Sequence, residues 1–309
     1  MPTLPTATAL PASNGHVVFV GLISAVAALG GMLFGYDTAV ISGAVGPLQR
    51  HFHLSPTETG WAASCALAGC VLGAAIAGPL SDTLGRRAAL LISAIAFLVS
   101  AAGTALASGV TLFVWFRVVG GLGIGAAAMV SPLYIAEVAP ARWRGRLVTL
   151  NQLALVFGMF LIYLINYKIA GLGTEEWNQT TGWRWMFASG AAPAIVLFVT
   201  LLFVPETPRF LLLKGRETVA RAVMMRIESA AIVDAELREI RESQLRSGGV
   251  APPRELRIVG LTGIALAVLQ QVTGINVFLY YAPELFKNVG RGTAVALVMG
   301  CRAFCSTSS

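Results

Sequence analysis

The chain has 309 residues, of which 56% are hydrophobic and only 12% are charged. This apolar content exceeds that of a soluble domain and is typical of a membrane protein. A net charge of +7 would suggest nucleic-acid binding in a soluble protein, but here the basic residues are spread over loops between apolar segments. We therefore expect the lipid bilayer, and no nucleic acid, as the surroundings of this chain.

Seven apolar segments are long enough to cross a hydrocarbon core of about 30 Å, which requires about 20 helical residues. They are Val17–Ala44, Trp61–Leu80, Ala88–Ala107, Leu112–Ala136, Thr149–Ala170, Trp183–Val204 and Ile258–Leu285. An eighth run, Thr293–Phe304, is too short to cross and contains Arg302. The sequence predicts an all-α membrane protein that stops partway through a helix.

The spacing of these segments divides the chain into four parts. A tail at residues 1–16 precedes a six-helix bundle at residues 17–204. A long polar linker follows at residues 205–257, and residues 258–309 contain the seventh helix and a truncated eighth. This layout is typical of the first half of a two-bundle transporter, followed by its linker and the start of the second half.

The basic residues flank the segments unevenly. Most of the 22 Lys and Arg residues lie between the second and third spans, between the fourth and fifth spans, and in the linker. Because Lys and Arg in short loops stay on the cytoplasmic side, we expect a cytoplasmic N-terminus and linker in the cell (inner or plasma) membrane. Within the linker, Val219, Val223 and Ile227 recur at helical spacing, which predicts short amphipathic helices on the membrane surface.

Histidine and cysteine patterns give little support for a metal site. His51 and His53 form a His-x-His pair that could bind a metal, but a solvated loop is the simpler interpretation. Cys65 and Cys70 lie five residues apart in one span, so they do not stack on one helix face. We expect no metal, no cofactor and no covalent catalysis, so the chain is not predicted to be an enzyme.

One carboxylate and one guanidinium lie inside apolar segments. Asp37 lies in "LFGYDTAVISG" of the first span, and Arg117 lies just inside the fourth. An unpaired charge at the bilayer centre costs at least about 3 kcal/mol, so these two residues are predicted to pair. Either the pair takes part in proton coupling, or it is a static bridge that locks the first span to the fourth.

Amide side chains within the spans are candidates for binding a polyol, because an amide donates and accepts hydrogen bonds without carrying a charge. They are Gln152 in the fifth span and Gln270, Gln271 and Asn276 in the seventh. Tyr280 follows as a gate or wall of the same cavity. The alternatives are that the amides join helices to one another and that the tyrosine is an interfacial aromatic.

Closely spaced glycines in the fourth span superficially resemble a nucleotide-binding loop. They are Gly120, Gly121, Gly123 and Gly125. The strand, loop and helix that such a loop requires are missing, and the glycines lie at membrane depth. We therefore expect them to allow close helix packing.

Six motifs follow one another in a specific order. They are "GYDTAVISG" (35–43), "GPLSDTLGRR" (78–87), "RVVGGLGIG" (117–125), "PLYIAEVAPARWRG" (132–145), "VPETPRFL" (204–211) and "QQVTGINVFLYYAPELF" (270–286). With these motifs the chain resembles the major facilitator superfamily, and within it the sugar porter family. The similarity is greatest to the bacterial proton-coupled pentose and hexose symporters, and it extends from Ala27 to about residue 290.

The resemblance implies a major facilitator-type N-terminal six-helix bundle, a cytoplasmic helical linker and the start of a second bundle. It implies secondary active transport of a monosaccharide by alternating access, with protons as the coupling ion. In such symporters the residue matching Asp37 carries the proton and the residue matching Arg117 modulates it, while the amides and Tyr280 bind the sugar. The alternatives are a facilitative sugar uniporter and a truncated, non-transporting membrane protein.

The resemblance also implies a cytoplasmic gating network of charged residues that holds the two bundles in one conformation. Its members here are Asp82, Arg86, Arg87, Glu137, Arg144, Glu206 and Arg209. The alternative for the first three is that they only fix the orientation of the chain in the membrane.

Two positions depart from the family pattern, and so does the length. Gly190 stands where close relatives often have Glu, so one acidic group of their coupling network is absent. Met159 stands where they often have Gln, so one sugar contact is expected to be lost. Two six-helix bundles need about 400 residues, so we expect this chain to be truncated after its seventh span.

Overall fold

The computed structural model describes residues 14–140 and 142–227, with a few single positions beyond them, and the structural statements below concern these residues. Five long helices come first: α1 (Asn14–His51), α2 (Pro56–Leu84), α3 (Arg86–Ala105), α4 (Val110–Val138) and α5 (Arg144–Ala170). The next span consists of α6 (Glu175–Trp177), a π-helical turn (Asn178–Gly182), α7 (Trp183–Ala188) and α8 (Ala191–Phe203). Two short helices follow, α9 (Pro208–Leu213) and α10 (Glu217–Met224).

Six helical segments in the described part of the chain are long and apolar enough to cross a membrane, which confirms a multi-pass, all-α architecture. They extend beyond the apolar windows read from the sequence. α1 continues past Ala44 because Val45 and Leu48 are buried in the bundle. α2 begins before Trp61 because Ser55 and Glu58 form a capping box. Hydropathy locates the spans, whereas caps and packing fix their ends.

The helices approach one another closely where glycine leaves room. Gly73 of α2 faces the backbone of Leu122, and Gly125 of α4 faces the backbone of Cys70. Each of the two helices therefore contributes a glycine to their crossing. Gly158 of α5 lies in the same way against α1. These contacts pack α2 against α4 and α5 against α1, and the small-residue pattern in the fourth span predicted the first of them.

The sixth span, predicted over Trp183–Val204, is present but is interrupted within its length. Helix α7 ends before Ser189 and α8 begins after Gly190. Pro193 has no amide hydrogen to donate to the Ser189 carbonyl, which accepts instead from the amide of Ala192 at 3.2 Å. The helix therefore tightens and changes course at this point.

Helix α10 is amphipathic, but its buried face differs from the predicted one. Ala220, Val223 and Ile227 are buried, whereas Val219 is 49% exposed. The guanidinium carbon of Arg226 lies 4.1 Å from the ring centroid of Phe19 in α1. Helix α10 therefore packs against the end of the bundle through Ala220 and Val223, and Val219 lies outside this contact face.

A matched pair of substitutions in α2 tests the close crossing. We expect Gly73→Ala to destabilise the chain by about 1–3 kcal/mol, because a methyl group there would overlap the backbone of α4. At Gly78, an added methyl group would meet no heavy atom of the described residues within 4 Å, so Gly78→Ala is the control. Thermal unfolding of the purified chain in detergent compares the two, and equal melting temperatures would contradict the proposed tight packing.

Candidate functional site

A buried ion pair joins α1 to α4. The Asp37 carboxylate accepts a hydrogen bond from Nη1 of Arg117, and the two side chains are only 9% and 3% exposed. The guanidinium carbon also lies 5.4 Å from the ring centroid of Phe187 at the end of α7, a cation–π geometry. The structure thus brings together the two residues whose pairing the sequence predicted and adds an aromatic neighbour from the sixth span.

The surroundings of this pair make its charge state consequential. Removing one partner from a buried pair leaves an uncompensated charge, which costs about 3–5 kcal/mol. The intact pair therefore holds α1 against α4 through one charged contact.

A cavity of about 540 Å³ opens between α1, α4 and α5. Its wall consists of Gly31, Phe34, Ala128, Pro132, Val148, Thr149, Asn151, Gln152 and Leu155. Two amides and a hydroxyl from α5 lie among apolar side chains there, a lining suited to a small, neutral, polar ligand. Phe34 precedes Asp37 by one helical turn, so α1 connects the cavity to the ion pair.

The predicted substrate-binding residues fall into two groups. Gln152 lies on the cavity wall. Gln270, Gln271, Asn276 and Tyr280 lie outside the described residues, so their contacts remain predictions.

Asn151 and Phe34 are among the cavity-wall residues that sequence reasoning missed. The amide criterion that selected Gln152 applies equally to Asn151, which precedes it. Phe34 has no polar group to distinguish it from the other apolar residues of the first span, so only the fold reveals its place.

A charge network lies where α2, α4 and α8 end, which we call the network end of the bundle. Arg86 Nε lies 3.0 Å from Glu137, and Arg86 Nη1 lies 3.1 Å from Asp82. The same side chain donates to the Ser81 carbonyl at 3.0 Å. Its positive charge thus faces the C-terminal ends of α2 and α4, where the helix dipoles favour a cation.

Two segments at the network end cap each other's helices. The Glu206 carboxylate accepts the backbone N–H groups of Arg86 and Arg87 at 3.0 and 3.1 Å, so a negative charge lies at the start of α3. Arg87 in turn donates to the carbonyls of Leu201 and Leu202 at 2.9 and 2.8 Å, where α8 ends. These reciprocal caps connect α3 firmly to α8.

Gly85 makes this close approach possible. Its φ is 103°, a conformation that favours glycine, and an added Cβ would collide with the Glu206 carboxylate. Any side chain at this position would displace the carboxylate from the amides that it caps.

Five of the seven predicted network residues meet at this end. Arg144 and Arg209 do not join them: both are exposed, and their side chains form no ion pair or hydrogen bond within the described part of the chain. Sequence reasoning missed Thr207, whose hydroxyl donates to Glu137 at 2.7 Å, and Tyr134, whose hydroxyl donates to the Pro205 carbonyl at 2.6 Å. Thr207 follows Glu206 in the quoted motif, but a threonine without a known partner gives no signal of its role.

Six membrane-spanning helices, with a buried ion pair beside a cavity that carries two amides, match the N-terminal bundle of the major facilitator type. The family model described as "Sugar (and other) transporter" matches residues 23–308. The chain belongs to this family.

Curated relatives and solved structures agree with this assignment. The D-xylose-proton symporter of Escherichia coli (strain K12) is 41% identical, over 91% of this chain and 63% of the relative. The arabinose-proton symporter of Bacillus subtilis (strain 168) is also 41% identical, over 94% of this chain and 64% of the relative. A partially occluded inward-open structure of the xylose transporter XylE from E. coli matches with a TM-score of 0.85 and 36% identity, over 93% of this chain and 71% of that one. The chain spans about 63% of the length of its first curated relative.

Glu206 provides a pH-dependent test of the network end. Burial raises the pKa of its carboxyl above the ordinary value, although the hydrogen bonds from Thr207, Arg87 and Arg86 oppose this shift. The folded state therefore holds this proton more tightly than the unfolded state. The resulting stabilisation is fully present below the ordinary pKa of a Glu carboxyl. It is lost as the pH rises through the raised pKa of Glu206 in the folded state.

The variant Glu206→Gln stays neutral and lacks this dependence. At low pH the Glu206 carboxyl is protonated and offers the α3 amides about as many acceptor sites as the Gln amide does, so we expect the two proteins to be about equally stable near pH 4. The unmodified chain should become less stable than Glu206→Gln as the pH rises from about 4 to about 7, since only the unmodified chain loses stabilisation over that range. Melting temperatures of both proteins across this range measure the difference, and a difference that stays constant, or that comes to favour the unmodified chain, would refute the raised pKa.

Proposed function

We propose that this chain forms the first half of a monosaccharide transporter that works as a sugar:proton symporter by alternating access. One observation carries the proposal: the buried pair of Asp37 and Arg117 lies one helical turn from a cavity lined by amides. The relatives named as D-xylose-proton and arabinose-proton symporters support the same function. The partners are a monosaccharide, protons and the lipid bilayer, and we assign no nucleic acid, metal or cofactor to the chain.

The sugar binds in the cavity between α1, α4 and α5. A sugar hydroxyl needs both a donor and an acceptor, which the Gln152 amide supplies without a charge to neutralise. Gln270, Gln271 and Asn276 of the seventh span complete the contacts, and Tyr280 closes the wall. The apolar lining excludes water from the sugar ring, so that each amide contact contributes to binding.

The proton binds to Asp37. In the empty state the carboxylate is charged and Arg117 holds it. With a proton bound, the pair loosens and the bundle is free to reorient. An inward-moving proton gains about 2.3 kcal/mol per 100 mV of membrane potential, which drives sugar accumulation.

The network end acts as the cytoplasmic gate, in a cell membrane with the N-terminus inside. The reciprocal caps between α3 and α8 make this end one rigid unit within the first bundle. Arg144 and Arg209 are exposed beside it, and we assign them to contacts with the second bundle. Closing the gate joins the two bundles, and opening it separates these contacts.

A facilitative uniporter is the second candidate, and Gly190 is the observation that favours it. Gly190 lies in the break of the sixth span, where it offers no carboxylate to a second proton site. A chain with this residue could move sugar down its gradient without coupling.

Two experiments separate these functions in a two-bundle protein. In this protein, which we call the hybrid, the chain is followed by the part of the E. coli D-xylose-proton symporter beyond the aligned region. The hybrid is purified and reconstituted in vesicles, with D-xylose as the probe.

The first experiment tests the binding role of Gln152. We expect Gln152→Ala to weaken D-xylose binding by about 1–3 kcal/mol, or about 5-fold to 150-fold in Kd, because a buried sugar hydroxyl loses its partner. Gln49→Ala removes an amide from α1 outside the cavity wall and should leave Kd unchanged. Isothermal titration calorimetry measures both, and equal affinities would show that the Gln152 amide does not contact the sugar.

The second experiment tests the proton role of Asp37. Asp37→Asn fixes the neutral form with little change in volume, so it should abolish D-xylose accumulation driven by a pH gradient. Exchange of labelled D-xylose should survive, because exchange needs the cavity but no proton cycle. If Asp37→Asn still concentrates sugar, the residue is a static partner of Arg117. If the unmodified hybrid never concentrates sugar, the uniporter is the correct function.

A further inference from the structure

The break in the sixth span is bonded to the α1 segment that carries the candidate proton site. Tyr36, which precedes Asp37, is 1% exposed, and its hydroxyl lies 2.8 Å from Oγ of Ser189. The Ser189 hydroxyl donates to the Met186 carbonyl at 2.6 Å. Its hydrogen is therefore used, so Tyr36 donates and Ser189 accepts. A half-buried interhelical bond thus ends at Ser189, the residue that follows the last residue of α7.

The last turn of α7 also touches the other member of the ion pair. Phe187, two residues before Ser189, lies under the Arg117 guanidinium at 5.4 Å. Its ring packs edge-on against Phe113 of α4, with centroids 5.3 Å apart. The end of α7 therefore contacts α1 through Ser189, beside Asp37, and contacts α4 through Phe187, beside Arg117.

The break gives this turn freedom to move. Because Pro193 removes one backbone hydrogen bond and Gly190 lies between the two helices, α7 can rotate against α8 without disrupting a continuous helix. The end of α7 is thus connected to the ion pair and is hinged to the rest of its span.

We propose that Tyr36 and Ser189 are positioning residues that couple the charge state of the Asp37–Arg117 pair to the orientation of α7. The inference rests on the proposed proton coupling. When Asp37 takes a proton, Arg117 loses its charged contact on α1 while its guanidinium still lies over the face of Phe187. Its displacement moves Phe187, and the bond between Ser189 and Tyr36 transmits that movement back to α1.

The groups around the pair are consistent with this direction of coupling. Besides Arg117 from α4, the titratable groups that interact electrostatically with Asp37 from α2 are the thiols of Cys65 and Cys70. A thiol is uncharged at neutral pH, so it does not replace the lost counter-charge.

A double-mutant cycle on the chain itself tests the coupling. Ser189→Ala is made in the unmodified chain and in Asp37→Asn, and each protein is unfolded thermally in detergent. We expect the loss in melting temperature from Ser189→Ala to be about twofold or more larger in the unmodified chain, because the bond matters most while the pair holds α7 in place. Equal losses in the two backgrounds would overturn the inference.

Ser93→Ala is the matched control for this cycle. Ser93 is buried, whereas Ser189 is half-buried, and the Ser93 hydroxyl donates to the carbonyl of Ala89 in its own helix at 2.9 Å. Its substitution should cost the same melting temperature with and without Asp37→Asn. If Ser93→Ala shows the same background dependence as Ser189→Ala, the coupling is not specific to α7 and the inference fails.

Transport by the hybrid separates this inference from the proposed function. Tyr36→Phe and Ser189→Ala should each retain D-xylose exchange but lower accumulation driven by a pH gradient severalfold. The double variant should lower accumulation no further than the more severe single substitution, because both substitutions remove the same hydrogen bond. If Asp37→Asn abolishes accumulation while Tyr36→Phe and Ser189→Ala leave it intact, the inference falls and the proposed function stands. If the unmodified hybrid never accumulates sugar, both fall.

Discussion

The ion pair between Asp37 and Arg117 is the interaction on which the arrangement of the bundle depends. Each charge alone would be costly inside an apolar bundle, and the two persist because their helices place them in direct contact. This requirement holds α1 beside α4 at one level of the membrane. It also explains why the aromatic ring of Phe187 covers the guanidinium, since the open face of a buried cation needs a partner.

The glycine crossings and the cavity follow from the same geometry. Close contact between α1 and α5 is possible because Gly158 removes a side chain where the helices meet. Along this crossing α1 carries Phe34 to the cavity and Asp37 to the ion pair, one helical turn apart. In the proposed mechanism, a movement of α1 therefore reaches the sugar and the proton sites together. Neither site needs a direct contact with the other.

Much of this arrangement could be predicted from the sequence, because membrane burial imposes simple rules. A lone carboxylate and a lone guanidinium in apolar spans predict a pair, and small residues at membrane depth predict close crossings. Five charged residues in the predicted network meet at one end for a similar reason, since short loops return the chain there.

The rest depends on contacts that a linear pattern does not contain. Val219 lies outside the buried face of α10. The spacing of apolar residues predicts a helix, but which of them become buried depends on how that helix packs against the end of the bundle. The role of Thr207 depends on a partner 70 residues away. The bond between Tyr36 and Ser189 joins residues 153 positions apart in the chain. Hydroxyls give weak signals in a sequence because they are satisfied by whichever neighbour the fold supplies.

Proton movement that accompanies sugar entry tests the central proposal most directly. The hybrid is placed in vesicles with equal pH on both sides, no membrane potential and a weakly buffered external medium, and D-xylose is then added outside. We expect the external medium to become more alkaline as the sugar enters, because each entering sugar takes a proton with it. Entry of labelled D-xylose without any external pH change would contradict proton coupling through the Asp37–Arg117 pair.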